Sequence, residues 1–135
     1  MIKKSSRVTT RQNQILEELE KCQDEMSGQQ LHRKLQDGST NMGLATVYRN
    51  LHELQQKGMV RSRHLPSGEV LYSPLDRDQH HLTCVDCGQT QVLSYCPVKD
   101  LQLPKNQTKK FQLLFHTLEF YGLCERCSKQ HEINT

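Results

Sequence analysis

Residues 43–54, with the sequence Gly-Leu-Ala-Thr-Val-Tyr-Arg-Asn-Leu-His-Glu-Leu, largely decide how the first half of the chain folds. Their apolar side chains recur at the three- and four-residue spacing of one helical face: Leu44, Val47, Leu51 and Leu54. Thr46, Arg49 and Asn50 are expected to face outward, and Gly58 is a typical helix stop. The segment predicts a helix that packs by its apolar face and offers hydrogen-bonding side chains on the other. A helix that enters the major groove of DNA needs both faces.

Two further helices are predicted before this segment. Each opens with a capping box, a Ser or Thr followed three residues later by Gln: Thr9 with Gln12, and Ser27 with Gln30. The first helix then carries one apolar face, made by Ile15, Leu16, Leu19 and Cys22. The second runs through Leu31 and Leu35 and is expected to end at Gly38 in a left-handed conformation.

Two short strands are predicted after the third helix, at residues 60–65 and 69–72. The Pro-Ser-Gly turn at residues 66–68 joins them, because proline presets one backbone angle and glycine allows positive φ. Three helices followed by a β-hairpin predict a winged helix-turn-helix domain over residues 1–75.

The second half is predicted to be a small α/β dimerisation domain, so that the whole chain is α+β. Charged residues 76–79 are interpreted as a hinge, and residues 80–135 as the domain itself. Strands at residues 91–93 and 111–120 flank one brief helix that ends at Pro104, and residues 105–110 are expected to form a solvated loop. The apolar strand at residues 111–120 would expose a sheet edge, which favours a homodimer.

Charge and composition narrow the choice of partners. The chain has 135 residues and a formal net charge of +3, with no run long enough to cross a bilayer and no secretion signal, so a cytoplasmic protein without a membrane partner is expected. The first residues carry four basic side chains and no acidic one: Lys3, Lys4, Arg7 and Arg11. Such an arm suits contact with phosphates.

Four residues are candidates for DNA contact: Arg11, Thr46, Tyr48 and Arg49. Arg49 could read guanine or hold a phosphate, Thr46 could contact a thymine methyl or a phosphate, and Tyr48 could donate to the backbone. The sequence leaves base and phosphate contacts undecided. The plainer alternative is a surface helix in an ordinary helical domain.

Two Cys-x-x-Cys motifs predict a structural zinc site with four thiolate ligands: Cys84, Cys87, Cys124 and Cys127. Four sulfurs close the coordination shell, so the site has no position for water or substrate and contributes to folding. The alternative is thiol–disulfide chemistry, but that motif is typically single and begins a helix within a βαβ unit.

A second set of ligands lies outside this tetrad, and we assign it to a sensing site for regulatory zinc: Asp78, His80, Cys96 and His116. His80 and His81 should point to opposite faces of a strand, so His81 is placed in a possible second site with Glu25 and His64. The thiolate of Cys96 favours zinc over iron(II) or manganese(II). The other histidines, His32, His52 and His131, are interpreted as surface or core residues.

Three segments together resemble the ferric uptake regulator (Fur) family: residues 43–49, 80–88 and 122–127. Residues 115–124 are most similar to the zinc uptake regulators (Zur), notably those of cyanobacteria. The resemblance implies a homodimer that binds A/T-rich palindromic operators when metal-loaded and usually represses uptake genes. It also implies DNA contact by Tyr48 and Arg49, structural zinc at the tetrad, and sensing by Asp78, His80 and His116.

Two positions depart from the family pattern. The family commonly supplies a glutamate ligand where this region offers Lys99, with Cys96 and Asp100 nearby, and we take Cys96 as the replacement. Gln79 stands where iron-type members commonly carry a histidine, which leaves the second site incomplete.

The sequence therefore predicts a zinc-responsive transcription regulator that represses zinc uptake genes and has no small-molecule substrate. The nearest alternative is an iron- or peroxide-responsive regulator of the same family. An oxidoreductase or zinc hydrolase is disfavoured because no acid, base or nucleophile grouping is evident. A zinc-ribbon protein that binds RNA or protein is a further alternative, against which stand the absence of Trp and the 5% aromatic content.

Overall fold

The computed structural model describes residues 8–38, 40–77, 79–98 and 102–134, of which residues 133 and 134 are described by their backbone alone. The chain divides into two compact units, Met1–Arg77 and Asp78–Thr135. The division falls within residues 76–79, the segment predicted to be a hinge.

The first unit contains three helices and a small sheet. Its elements are α1 (Thr10–Lys21), β1 (Met26–Ser27), α2 (Gly28–Asp37), α3 (Leu44–Gln56), β2 (Val60–His64) and β3 (Val70–Pro74). The strands are antiparallel in the order β1-β3-β2. The predicted winged helix-turn-helix architecture is confirmed, with β1 added as a third strand too short for the sequence pattern to reveal.

Most of the predicted capping boxes and glycine conformations at the ends of these elements are confirmed. Both predicted capping boxes form, as the hydroxyls of Thr9 and Ser27 accept from backbone amides 3.1 Å away. Gly68 has the positive φ, 95°, that the hairpin turn requires. The prediction for Gly38 is wrong: its φ is −87°, because the last turn of α2 closes without a left-handed residue.

The core of the first unit is a cluster of buried apolar side chains from all three helices, from β1 and β2, and from the segment before α3: Ile15, Leu19, Met26, Leu31, Leu35, Met42, Val47, Leu51, Leu54 and Val60. Cys22 packs against this cluster but is only partly buried. Two expectations for α3 are wrong. Leu44 is 37% exposed because it begins the helix, and Asn50 is buried because its side chain finds polar partners inside the unit.

The second unit is built on a three-stranded sheet. Its elements are β4 (His80–Cys84), β5 (Thr90–Leu93), α4 (Lys105–Thr108), β6 (Glu119–Gly122) and α5 (Glu125–Asn134). The strand order is β5-β4-β6, with β5 antiparallel and β6 parallel to β4. The predicted α+β class is confirmed.

Three details of the second unit differ from expectation. The helix begins after Pro104 instead of ending there, since proline is tolerated at a helix start, and it replaces most of the expected loop at residues 105–110. The predicted strand at residues 111–120 has regular β-structure only at its end, in β6. Phe111 and Leu113, ahead of that strand, are 80% and 66% exposed. Within the described ranges, we find no helix with both the length and the apolar character needed to cross a membrane.

Candidate metal centres and DNA-contacting face

The four cysteines of the tetrad come from both ends of the second unit. Cys84 is the last residue of β4, and Cys87 lies in the turn that follows. Cys124 directly precedes α5, and Cys127 lies in its first turn. Because Cys84 pairs with Gly122 in the parallel ladder, the two Cys-x-x-Cys motifs lie side by side.

Backbone hydrogen bonds fix the first motif. The amide of Gly88 donates to the carbonyl of Cys84 at 2.9 Å, and the amide of Cys84 donates to Gln89 at 2.8 Å. Gly88 adopts φ 84°, a left-handed conformation that glycine reaches without strain. The turn therefore holds its two thiols in place by local backbone geometry.

The arrangement of the four sulfur atoms fits a tetrahedral ion. All four lie within 4.8 Å of one another, and the Cys87 and Cys124 sulfurs are 3.8 Å apart. Zinc–thiolate bonds of about 2.3 Å in a tetrahedron separate the sulfurs by about 3.8 Å. Cys84 and Cys127 are buried, and four protein ligands would leave no vacant position. The set is compatible with a structural zinc site.

Charge within the tetrad is unevenly distributed. Hydrogen bonds from the backbone amides of Cys87 and Cys124 lower the pKa of Cys84 to about 6. The hydrogen bond between the Cys127 and Cys124 side chains, followed by burial, raises the pKa of Cys127 to about 12. The two pKa values therefore move in opposite directions, toward the thiolate at Cys84 and toward the thiol at Cys127. A divalent cation would supply the positive charge that allows all four to act as thiolates.

Two polar neighbours of the tetrad were not identified from the sequence. Hydrogen bonds to the side chains of Cys87 and Cys127 raise the pKa of Arg126, so its guanidinium stays charged beside the sulfurs. The Nε2 atom of His131 lies 3.2 Å from a carboxylate oxygen of Asp86 and joins α5 to the first motif. The available signal was their position: Arg126 lies between the cysteines of the second motif, and His131, interpreted as a surface or core residue, lies four residues after Cys127.

A second cluster brings together three of the four predicted sensing ligands. Ligand atoms of His80, Cys96 and His116 all lie within 4.8 Å of one another. The Cys96 sulfur is 3.6 Å from His116 Nε2, and the rings of His80 and His116 stack with centroids 5.1 Å apart. His80 is buried and Cys96 is half-buried, whereas His116 is exposed. Asp78 lies outside the described residues.

The residues of the possible second site each have neighbours within their own unit. In the first unit, Glu25 forms a two-pronged ion pair with Arg63, with distances of 2.7–3.2 Å, and His64 ends β2. In the second unit, His81 Nδ1 lies 3.9 Å from a carboxylate oxygen of Glu119. His80 and His81 thus contact different partners, as expected for neighbours in an extended strand.

The candidate DNA-contacting face lies on α3 and the start of α1. Arg11 and Arg49 are exposed, Tyr48 is 40% exposed and Thr46 is half-buried. The basic side chains before Arg11, namely Lys3, Lys4 and Arg7, fall outside the described residues. Burial, and then the neighbouring phenol of Tyr48, raise the pKa of Tyr72 in β3.

A buried polar network fixes α3 against α1. Gln12 is fully buried, and its amide nitrogen donates to Asn50 at 3.1 Å and to Glu53 at 2.7 Å. Its amide oxygen accepts from Lys57 at 2.7 Å and from the amide of Thr9. The capping-box pattern pointed to Gln12 for its bond with Thr9, but nothing in the local sequence indicated its contacts with α3.

Comparisons with known proteins identify a family that shares most of this sequence. Residues 3–121 match the model of the ferric uptake regulator family. The ferric uptake regulation protein of Vibrio cholerae is 35% identical over 121 residues, which cover 87% of this chain and 80% of the relative. The peroxide operon regulator of Bacillus subtilis is 27% identical over 124 residues, 92% of this chain and 86% of the relative.

The fold is similar to that of a solved relative as well. The crystal structure of the Vibrio cholerae ferric uptake regulator has a TM-score of 0.58 at 32% identity, over 87% of this chain and 92% of that chain. The family match extends over most of both units and stops at Tyr121, before the second Cys-x-x-Cys motif. The chain belongs to the ferric uptake regulator family of metal-responsive, DNA-binding transcription regulators, and not to a family of enzymes.

Proposed function

We propose that this protein is a zinc-responsive regulator, of the zinc uptake branch of its family, that represses zinc uptake genes in the cytoplasm. The observation that carries the proposal is the cluster of His80, Cys96 and His116. A thiolate with two imidazoles suits zinc, whereas iron(II) and manganese(II) are better served by nitrogen and oxygen ligands. The tetrad would hold one structural zinc per chain, and this cluster at least one regulatory zinc.

We assign Asp78 as the fourth ligand of the regulatory site. In the sequence it belongs to the segment interpreted as a hinge and precedes His80 by two residues. Its carboxylate would complete a four-coordinate shell with His80, Cys96 and His116. Ligation by Asp78 would also restrict the connector, and so couple metal binding to the placement of the DNA-binding unit. Glu25, His64 and His81 remain a possible second site.

In the proposed mechanism, ligand assembly shifts the population toward the DNA-binding form of a homodimer. The two copies of α3 would enter successive major grooves of an A/T-rich palindromic operator, with Thr46, Tyr48, Arg49 and Arg11 in contact with DNA. To move the protein from mostly inactive to mostly active, zinc must bind the active form about 10⁴-fold more tightly, a preference of about 5.5 kcal/mol. Two regulatory sites per dimer would share that requirement.

An iron- or peroxide-responsive regulator is the second candidate. The names of the curated relatives support it, because they include ferric uptake regulation proteins and a peroxide operon regulator. Cys96 favours the zinc-responsive candidate over the iron- or peroxide-responsive one. Its thiolate binds zinc tightly, and a site for iron(II) would not be expected to need it.

The test combines native mass spectrometry with an operator-binding assay across a free-zinc titration. The duplex is an A/T-rich palindromic operator from a zinc-transporter promoter, and parallel titrations use iron(II), manganese(II) and hydrogen peroxide. We expect a dimer that keeps one zinc per chain under mild chelation and binds the operator as a second zinc loads. If iron(II) activates binding at lower free concentration than zinc, the second candidate replaces the first.

Two variants test the assignment of the sensing ligands. Cys96→Ser and His116→Ala should weaken zinc-dependent operator binding while the tetrad zinc and the dimer remain. His32→Ala is the control, because His32 lies in α2 of the first unit, where its ring nitrogen is 3.1 Å from the Gln36 side chain. An unchanged zinc response in both cluster variants would refute the assignment.

A further inference from the structure

Gly28 lies directly against the end of the Tyr48 side chain. Gly28 is the first residue of α2, follows the N-cap Ser27 and is buried. A β-carbon added at this position would lie 2.4 Å from Tyr48 Cε1, 2.5 Å from Cζ and 2.8 Å from the hydroxyl oxygen. The phenol of Tyr48 therefore occupies the space that any other residue at position 28 would need for its side chain.

Helix formation does not explain the glycine. Among non-proline residues, glycine is the poorest helix former and alanine the best. Gly28 also lacks the positive φ that would favour glycine, since the structure records positive φ only at Gly58, Gly68 and Gly88 among the described glycines. The contact with Tyr48 is the remaining physical reason for a residue without a β-carbon at the start of α2.

The contact involves a side chain that is partly accessible. Tyr48 is 40% exposed, so the part of its ring that does not face α2 is available to a ligand. Strand β1 lies directly before α2, and its Met26 pairs with Tyr72 of β3. Gly28 and Tyr72 are thus both neighbours of the Tyr48 phenol, and together they restrict where its hydroxyl can lie.

We propose that Gly28 is a positioning residue for DNA binding. Because it has no β-carbon, it leaves room beside α2 for the Tyr48 phenol, which is thereby kept in its DNA-contacting orientation. The inference rests on the proposed role of Tyr48 at the operator. A side chain held in place before binding loses less conformational freedom on binding. A methyl group at position 28 would displace the flexible end of Tyr48, since the atoms it meets belong to that side chain and not to the backbone.

The first test compares two glycine substitutions, one at each end of α2. Gly28→Ala should weaken operator binding by the zinc-loaded full chain about tenfold, the loss expected when one hydrogen bond to a charged group is misplaced. Gly38→Ala is the matched control at the other end of α2, where an added β-carbon meets only backbone carbonyl oxygens at 3.6 Å or more. We expect Gly38→Ala to change operator affinity less than about twofold.

Thermal unfolding separates positioning from folding. Gly28→Ala should retain the midpoint of the parent protein, because displacement of the Tyr48 ring relieves the overlap. Unfolding of the first unit in this variant would overturn the proposal, since the contact would then be part of the core.

A double-mutant cycle with Tyr48→Ala decides whether Gly28 acts through the tyrosine. In the Tyr48→Ala background, Gly28→Ala should have no further effect on operator affinity. An equal loss in both backgrounds would overturn the inference. If Tyr48→Ala alone weakens binding but Gly28→Ala does not, only the inference about Gly28 fails. If Tyr48→Ala changes nothing, the DNA contact assigned to Tyr48 fails, and the inference fails with it.

Discussion

The two ligand clusters of the second unit share strand β4 but are assembled in different ways. The tetrad consists of two Cys-x-x-Cys motifs, each fixed by its own turn or helix start, and adjacent strands hold the two motifs together. The other cluster takes His80 from β4, Cys96 from the turn after β5 and His116 from an irregular segment before β6. Its ligands are separated by 16 and 20 residues in the chain.

This difference supports the proposed assignment of the tetrad to folding and of the other cluster to regulation. A cluster held by local backbone geometry binds its ion wherever the unit is folded, so the binding energy stabilises the fold. A cluster drawn from three separate segments forms only when those segments come together. In the proposed function, its occupancy would be linked to a conformational equilibrium, as a sensor requires.

The largest effect is expected from Cys84→Ser. Loss of one thiolate should release the tetrad metal and unfold the second unit, because a structural zinc contributes roughly 10–16 kcal/mol to folding at neutral pH. The first unit, with its own apolar core, should remain folded. Zinc analysis and limited proteolysis measure both results, with Cys22→Ser as a control outside either cluster. A folded second unit that lacks zinc would show that the tetrad does not stabilise it.

A smaller effect on folding, but a large effect on metal binding, is expected from Cys96→Ser. Removal of a thiolate ligand should lower the affinity for the second zinc by more than about 100-fold, since even outer neighbours of metal ligands are worth 10–100-fold. The unfolding midpoint with only the tetrad occupied should not change. Competition with a zinc chelator measures the affinity, and release of the tetrad zinc by this variant would contradict the separation of the two clusters.

An intermediate effect on the tetrad itself is expected from Arg126→Gln. The guanidinium carries positive charge beside Cys87 and Cys127, so its loss should speed zinc release to a chelator about tenfold. Lys129→Gln is the control on the same helix, where the lysine pairs with Glu125 at the surface. Equal rates of zinc release from the two variants would show that Arg126 does not stabilise zinc in the tetrad.

The smallest effect is expected from His131→Ala. Its polar contact with Asp86 joins two side chains that are 59% and 47% exposed. Exposed pairs contribute about 0–1 kcal/mol, so the free energy of unfolding should fall by at most about 0.5 kcal/mol. Chemical denaturation of the zinc-loaded protein measures this, and a loss above about 1.5 kcal/mol would mean that the pair supports the tetrad directly.

Periodicity and capping patterns predicted the first unit closely, because those signals act over three or four residues. Thr9 and Ser27 begin their helices as expected, and the apolar stripe of α3 is buried at Val47, Leu51 and Leu54. The errors at Gly38 and Leu44 concern helix ends, whereas the error at Asn50 arises from a long-range partner. Asn50 is polar yet buried, because Gln12, 38 residues away, satisfies its side chain.

The second unit was predicted less well for a related reason. Residues 111–118 have the composition of a strand, but the structure gives them no regular β-structure. Helix α5 has few apolar residues, and its first turn is anchored mainly through Cys127, so periodicity alone did not reveal it. The sequence nonetheless identified the four tetrad cysteines and grouped His80, Cys96 and His116.

The sequence by itself determined the winged helix-turn-helix architecture and the candidate ligands of the tetrad, because helix periodicity, capping and Cys-x-x-Cys spacing are local properties of the chain. Only the tertiary structure decided which side chains meet across the chain. It placed Gln12 of α1 against α3, and Gly28 against Tyr48. These contacts depend on how separate elements pack, and no short-range pattern in the sequence records that packing.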